Sequence, residues 1–458
     1  MAQRRELLPV LRDVSLKALS LGLERGSRLI VTVVAASRLG EAAFGLFIFA
    51  GTATAILALA ADLGLGVWTT RAMARGDGDR SHVVTTGLGL RALAMLPYAV
   101  GVVVIAARNT GREARLTLAL LGVTAACNAF SDHFGAIFRG VGRFGDEARQ
   151  NAVRAALTLG AGLIALVLFP SLAAFCGALA AASLAAFVFG SSRVLGLTPL
   201  HAPFDRNLAM SALRIAWPIW LAGLLSLLYF KVDTFFVRAF AGDAELGAYG
   251  AAYKLFEGAM LLPAVVLAAT FPRLARLRAD VAAQGRLERR IAGALLAGGV
   301  VVAAFAHLAR VQLIALLFGA SFRRAEGSLS VLALGIPLVY VNFGLTHFLI
   351  ARDRERVNLW LAAMMLAVTV ALDVLLIPHG GGPGAALATV IAEVALTLSC
   401  LGALGRRTSS SGIGPRASTR RGQTEEHPEQ PVRRSELEEV VEGPVREERT
   451  CSKTDAEA

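Results

Sequence analysis

The chain has 458 residues, 55% of them hydrophobic and only 17% charged, with a mean hydropathy of +0.59. Soluble domains carry about 25% charged residues, so this chain has too little polar surface to stay dissolved and reads as a membrane protein. Its net charge of +12 would suggest nucleic acid in a soluble protein, but in a membrane protein it reports the loops on one face, and no nucleic-acid partner is expected.

A membrane-spanning helix needs about 20 apolar residues. Segments near 17–37, 43–68, 83–107, 115–138, 151–170, 172–190, 211–237, 244–270, 291–308, 328–350, 357–378 and 384–404 meet that length. The expected fold is therefore all-α, a polytopic protein of about twelve transmembrane helices. The first segment holds Glu24, Arg25 and Arg28 and is followed at once by a second, which predicts a retained span rather than a cleaved signal. Alternating ten-residue strands are absent, which excludes a transmembrane β-barrel. Cys127, Cys176, Cys400 and Cys451 have no CxxC or zinc-ligand spacing, so neither disulfides nor a metal are expected.

Arginine placement sets the orientation. The even-numbered connections and the two ends carry 24 arginines and the odd connections 8, which predicts that both termini are cytoplasmic. The cluster Arg108, Arg112 and Arg115 is the one discordant loop. A repeat runs through the chain: Leu39-Gly40-Glu41-Ala42-Ala43-Phe44-Gly45-Leu46-Phe47 matches Ala241-Gly242-Asp243-Ala244-Glu245-Leu246-Gly247-Ala248-Tyr249 at an offset of 202 residues. The same offset pairs Arg71 with Arg273. Halves with an even number of spans share one orientation, so the repeat is parallel, with its pseudo-twofold along the membrane normal. The predicted divisions are a bundle over 1–190, a cytoplasmic linker over 191–210, a second bundle over 211–404 and a tail over 405–458. The tail has 10 basic and 11 acidic residues and almost no aromatics, the composition of a disordered segment.

Charges at membrane depth are costly and mark cavities or pairs. In chain order they are Glu24, Arg25, Arg28, Asp62, Arg91, Asp132 and His133, then Lys231, Asp233, Lys254, Glu257, His347, Asp373 and Glu393. Glu24 and Arg28 are four apart and can pair on one helix face, and Lys254 and Glu257 are three apart and can do the same. Asp62 precedes Leu63-Gly64-Leu65-Gly66, where it can cap or hinge a helix end. Asp373 is expected near a membrane surface, in water. Arg25 and Arg91 can reach the surface by snorkelling or line a cavity. Arg28 and Lys231 lie deeper and predict a water-filled cationic cavity. Guanidinium forks match phosphate oxygens, so pyrophosphate or acidic sugars are the guests such a cavity suits. Pro97, Pro218, Pro263 and Pro337 fall inside spans and predict bends.

Several stretches together resemble the polysaccharide (oligosaccharide-lipid) flippases. They are Ser37-Arg38-Leu39-Gly40, Phe44-Gly45-Leu46-Phe47, Asp62-Leu63-Gly64-Leu65 and Phe138-Arg139-Gly140-Val141-Gly142-Arg143-Phe144. Further along come Trp217-Pro218, Tyr229-Phe230-Lys231-Val232-Asp233-Thr234, Gly247-Ala248-Tyr249, Ala252-Tyr253-Lys254 and Phe271-Pro272-Arg273-Leu274. Leu317-Phe318-Gly319, Ile377-Pro378 and Gly384-Ala385-Ala386-Leu387-Ala388-Thr389 complete the set, and the likeness covers about residues 10–404. The superfamily also holds multidrug exporters and the lipid II flippase. The resemblance implies two six-helix bundles around a V-shaped central cavity. It implies that an undecaprenyl-pyrophosphate-linked oligosaccharide is moved across a bacterial cytoplasmic (inner) membrane by alternating access, for surface polysaccharide biosynthesis. Many members add two helices at the C-terminus; about twelve spans are expected here.

The resemblance implies cavity roles for Arg28, Lys231, Asp233 and Lys254; the residues themselves add Arg25, Arg91 and Glu24. Substrate binding is expected at Arg28, Lys231, Lys254, Arg25 and Arg91. Ion coupling or pairing is expected at Asp233, Asp62, Glu24 and Glu257, with a proton or sodium ion as the coupling ion and no other cofactor. The glycan is expected in the aqueous cavity and the polyprenyl tail in the bilayer. The partners are then the lipid-linked glycan, the bilayer and other polysaccharide-assembly membrane proteins, with the protein itself a monomer. A cation-coupled multidrug exporter of the same fold, a membrane glycan polymerase or ligase, and an inactive paralogue remain open. No Ser/His/Asp arrangement or phosphate loop appears, so no catalytic residue is expected.

Overall fold

The computed structural model describes residues 2–76, 79–198, 202–277, 280–352 and 354–405. The expected disordered tail lies, from residue 406 on, outside the described residues. All regular structure among the described residues is helical. The first half holds α1 (Ala2–Leu39), α2 (Glu41–Ala60), α3 (Leu65–Arg75), α4 (Arg80–Arg108), α5 (Arg112–Gly140), α6 (Phe144–Leu168) and α7 (Leu172–Leu195). The second holds α8 (Arg206–Lys231), α9 (Asp233–Ala259), α10 (Leu261–Arg276), α11 (Val281–Leu308), α12 (Arg310–Leu317), α13 (Ala325–Ala351) and α14 (Glu355–Gly405).

Nine of the described helical runs are long and apolar enough to cross a membrane. Two of them, Arg206–Phe271 and Val357–Gly405, turn back at a glycine with positive φ, Gly242 (87°) and Gly381 (52°), and so hold two crossings each. Only glycine enters that region without a steric penalty. With α1, whose charged residues break up its apolar run, the described residues make twelve crossings. Two expected spans are broken. The second stops at Ala60, turns through Leu63 (φ 53°) and Gly64 (φ 73°), and resumes as α3. The eighth is interrupted at Met260, and Pro263 then falls in the first turn of α10, where its missing N–H costs nothing. The discordant arginines need no extra span: Arg108 ends α4 and Arg112 starts α5. Helices α4, α8 and α13 continue through Pro97, Pro218 and Pro337.

Helix α1 packs on α6, and α7 on both α5 and α6; in the other half α13 packs on α11 and α14, and α9 on α13 and α14. Outside, Leu96, Val103, Val167, Val301, Leu316 and Trp360 are exposed, as a lipid-facing surface requires. The halves meet chiefly where α2 crosses α9. A Cβ placed on Gly45 would lie 1.8 Å from the Asp243 carbonyl oxygen, and one placed on Gly247 would lie 1.9 Å from the Glu41 carbonyl oxygen. These positions are related by the same 202-residue offset as the repeat, so the contact is reciprocal, as at a twofold interface. The two glycines let one backbone rest on the other. Phe44 and Leu246, again a matched pair, are buried beside them.

Candidate functional site

A cavity of about 460 Å³ lies where α1, α2, α5, α6 and α7 face α8 and α9. Its ionisable walls are Arg28, Lys231, Asp233, Lys254 and Glu257. The hairpin at Gly242 brings the last four together. It folds the second arm of α9 back beside the end of α8, so Lys231 meets residues 26 positions later. On that arm Tyr249, Tyr253 and Glu257 are spaced four apart and share one helix face, with Lys254 at its edge. Lys231 Nζ donates to Glu257 Oε1, and Lys254 Nζ donates to Glu257 Oε2 at 2.7 Å. Lys231 also sits over the Tyr253 ring, 4.5 Å from its centroid. Asp233 starts α9 and is buried. Its Oδ1 accepts from the Thr234 N–H at 2.7 Å and its Oδ2 from the Tyr249 hydroxyl.

The opposite wall comes from the first half. Arg28 is half exposed and pairs with Glu24 at 3.0 Å, one turn back on α1. Glu24 is in turn held at 2.8 Å by Arg154, which also reaches Asp132 at 2.7 Å. Thr32, Thr52, Thr54, Thr124, Asn128 and Ser183 add hydroxyl and amide groups. Asn128 Oδ1 is buried with no hydrogen-bond partner. Arg25 lines a side groove that continues past Arg28, Lys254 and Leu261 between α1 and α9–α10.

Two expected site residues lie elsewhere. Arg91 is 2% exposed, donates to Asp62 Oδ1 at 2.7 Å and to the Ala129 carbonyl at 2.7 Å, and lines no wall of the cavity. Asp62 Oδ2 accepts from the Gly64 N–H at 3.1 Å, so Asp62 ties the α2–α3 turn to α4 rather than facing the cavity. Helix packing turns Arg91 toward this carboxylate, and the pair neutralises itself. Arg91→Ala is expected to lower stability by about 2 kcal/mol, the value of charged hydrogen bonds. Thermal unfolding of the purified variant checks that expectation.

Sequence reasoning missed Asp373 and Arg154. Asp373, expected in water, is fully buried in α14, and neither carboxylate oxygen has a hydrogen-bond partner. Nothing in the local sequence marks it, because its burial depends on which face of α14 meets α9. Arg154 falls at the start of an expected span, where the sequence marks it only as one more arginine on the arginine-rich face.

Many solved structures share this fold, among them the following three. A multidrug resistance MATE family transporter of the MOP superfamily, in an inward-facing conformation, superposes with a TM-score of 0.70 at 17% identity, over 85% of this chain and 97% of that one. Lipid II flippase MurJ in an inward closed conformation gives 0.67 at 14% identity, over 85% and 87%. An outward-facing MATE transporter gives 0.61 at 16% identity, over 85% and 94%. Among curated proteins, none matches the chain in sequence. The chain thus has the fold of the MATE and MurJ structures, and its apolar helices make it a multi-pass membrane protein. Residues 10–278, more than half the chain, match the family model described as polysaccharide biosynthesis protein, and the chain belongs to that family.

Proposed function

We propose that this protein flips a polyprenyl-pyrophosphate-linked oligosaccharide across a bacterial cytoplasmic membrane for surface polysaccharide assembly, by alternating access. One observation carries the reading: a single cavity gathers Arg28, Lys231 and Lys254 from both halves beside a wall of hydroxyl and amide groups. The cations suit a diphosphate and the hydroxyl wall suits a glycan. The side groove of Arg25, Leu29 and Leu261 gives the polyprenyl chain a way into lipid next to the charged site. Asp233 and Asp373 are buried carboxylates fit to exchange a proton or sodium ion as the halves move. The arginine count supports an orientation with both termini cytoplasmic. The protein works in this reading as a monomer beside other polysaccharide-assembly proteins of the membrane.

Arg28→Ala and Lys231→Ala are each expected to weaken pyrophosphate binding and glycan export about tenfold or more, the equivalent of one charge-assisted hydrogen bond. Surface glycan is measured at matched expression, and normal export in both variants sinks the reading. Deletion of the gene is expected to leave complete lipid-linked oligosaccharide on the cytoplasmic side. Unchanged lipid pools with normal surface polymer count against a flippase, and drug sensitivity without loss of glycan points to the multidrug exporter instead.

A further inference from the structure

We propose that Glu257 is a stand-in anion, occupying in the empty protein the two lysine sites that the cargo's diphosphate takes. The proposal rests on the diphosphate reading above and adds how that site is kept ready and how it lets go.

One carboxylate spans two ammonium groups from different arms of a hairpin, Oε1 on Lys231 and Oε2 on Lys254. Two oxygens on one centre bridging two cations is the arrangement a phosphate group also offers. The other charges facing the cavity have partners of their own. Arg28 is held by Glu24, and Asp233 accepts from the Tyr249 hydroxyl and the Thr234 N–H. With Arg28 neutralised by Glu24, the walls without Glu257 would carry two lysines against one carboxylate, Asp233. Cations withdrawn from water with no counter-ion are costly. With Glu257 in place the charge is nearly balanced, so the empty cavity can close and reorient.

Cargo binding is then an exchange of one anion for another. The diphosphate displaces Glu257 from the lysines, and Glu257 returns as the diphosphate leaves. Affinity is lowered and release is helped by the same contact. A ligand shifts the protein only by its differential affinity for the two states, and a site that bound its cargo too tightly would hold it in both.

Inorganic pyrophosphate is titrated into the purified full-length protein by calorimetry. Glu257→Gln, which keeps shape and removes charge, is expected to bind pyrophosphate about tenfold more tightly than wild type, on the scale of a charge-assisted hydrogen bond. In cells it is expected to export less surface glycan at matched expression, because release slows. Unchanged or weaker pyrophosphate binding in Glu257→Gln overturns the stand-in role. Glu257→Asp, too short to span both lysines, is expected to give a smaller gain; if Glu257→Gln does not fold, equal affinity of Glu257→Asp and wild type overturns the proposal as well. Lys231→Ala and Lys254→Ala separate the two levels. If they weaken binding while Glu257→Gln does not strengthen it, only the stand-in role fails. If pyrophosphate binding ignores both lysines, the diphosphate reading fails too.

Discussion

Gly45→Ala and Gly247→Ala are each expected to destabilise the folded protein by about 3 kcal/mol, at the upper end of the cost of overpacking. A methyl group on Gly45 would fall 1.8 Å from the Asp243 carbonyl oxygen and 2.8 Å from the Gly247 amide nitrogen. On Gly247 it would fall 1.9 Å from the Glu41 carbonyl oxygen and 3.1 Å from the Glu41 Cα. The obstacles are backbone atoms, so no side-chain rotation relieves the clash, and α2 and α9 must move apart. Because the two sites are repeat equivalents facing each other, the two variants are expected to lose stability by similar amounts. Close backbone approach also permits Cα–H···O contacts, which an enforced gap removes.

Gly298→Ala provides the comparison. Beyond its own helical turn, no atom lies within 4 Å of its would-be Cβ, well inside α11. There the exchange is expected to be neutral or to stabilise by about 0.5 kcal/mol, through lower freedom of the unfolded chain. Thermal unfolding in detergent measures all three. The crossing has no special role if Gly45→Ala melts no lower than Gly298→Ala.

Arg154→Ala is expected to cost about 2 kcal/mol, because it strips a partly buried carboxylate of one of its two charged partners. Arg154 is 5% exposed and bridges Glu24 on α1 and Asp132 on α5. The Asp132 side chain is 62% exposed and rehydrates readily, so most of the loss falls at Glu24, whose side chain is 12% exposed. Glu24 is also the partner of Arg28, so Arg154 acts as a positioning residue for the cavity. Without it Glu24 has only Arg28 to hold, and Arg28 is drawn back from the cavity. Pyrophosphate binding is expected to weaken in the direction of Arg28→Ala but by less. Arg154→Lys keeps the charge but loses the fork, so it is expected to recover part of the stability and little of the binding. A full recovery by lysine would show that charge alone matters at this position.

The sequence by itself determined whatever depends on neighbours along one helix. Runs of about 20 apolar residues marked the twelve crossings, since solvation of a span is a property of its own side chains. The 202-residue repeat was visible, and so were the Glu24–Arg28 and Lys254–Glu257 pairs, because helical periodicity places residues three or four apart on one face. Lys231 and Arg28 stood out because cations at membrane depth are costly and mark cavities or pairs.

Only the tertiary structure decided which face of each helix meets which neighbour. It set Lys231 against Glu257 across the Gly242 hairpin, and withdrew Arg91 from the cavity to Asp62. It also buried Asp373 against expectation, and seated Gly45 and Gly247 on each other's backbone. Those outcomes depend on the rotation and crossing of helices far apart in the chain, which interdigitating side chains fix jointly and no local window contains.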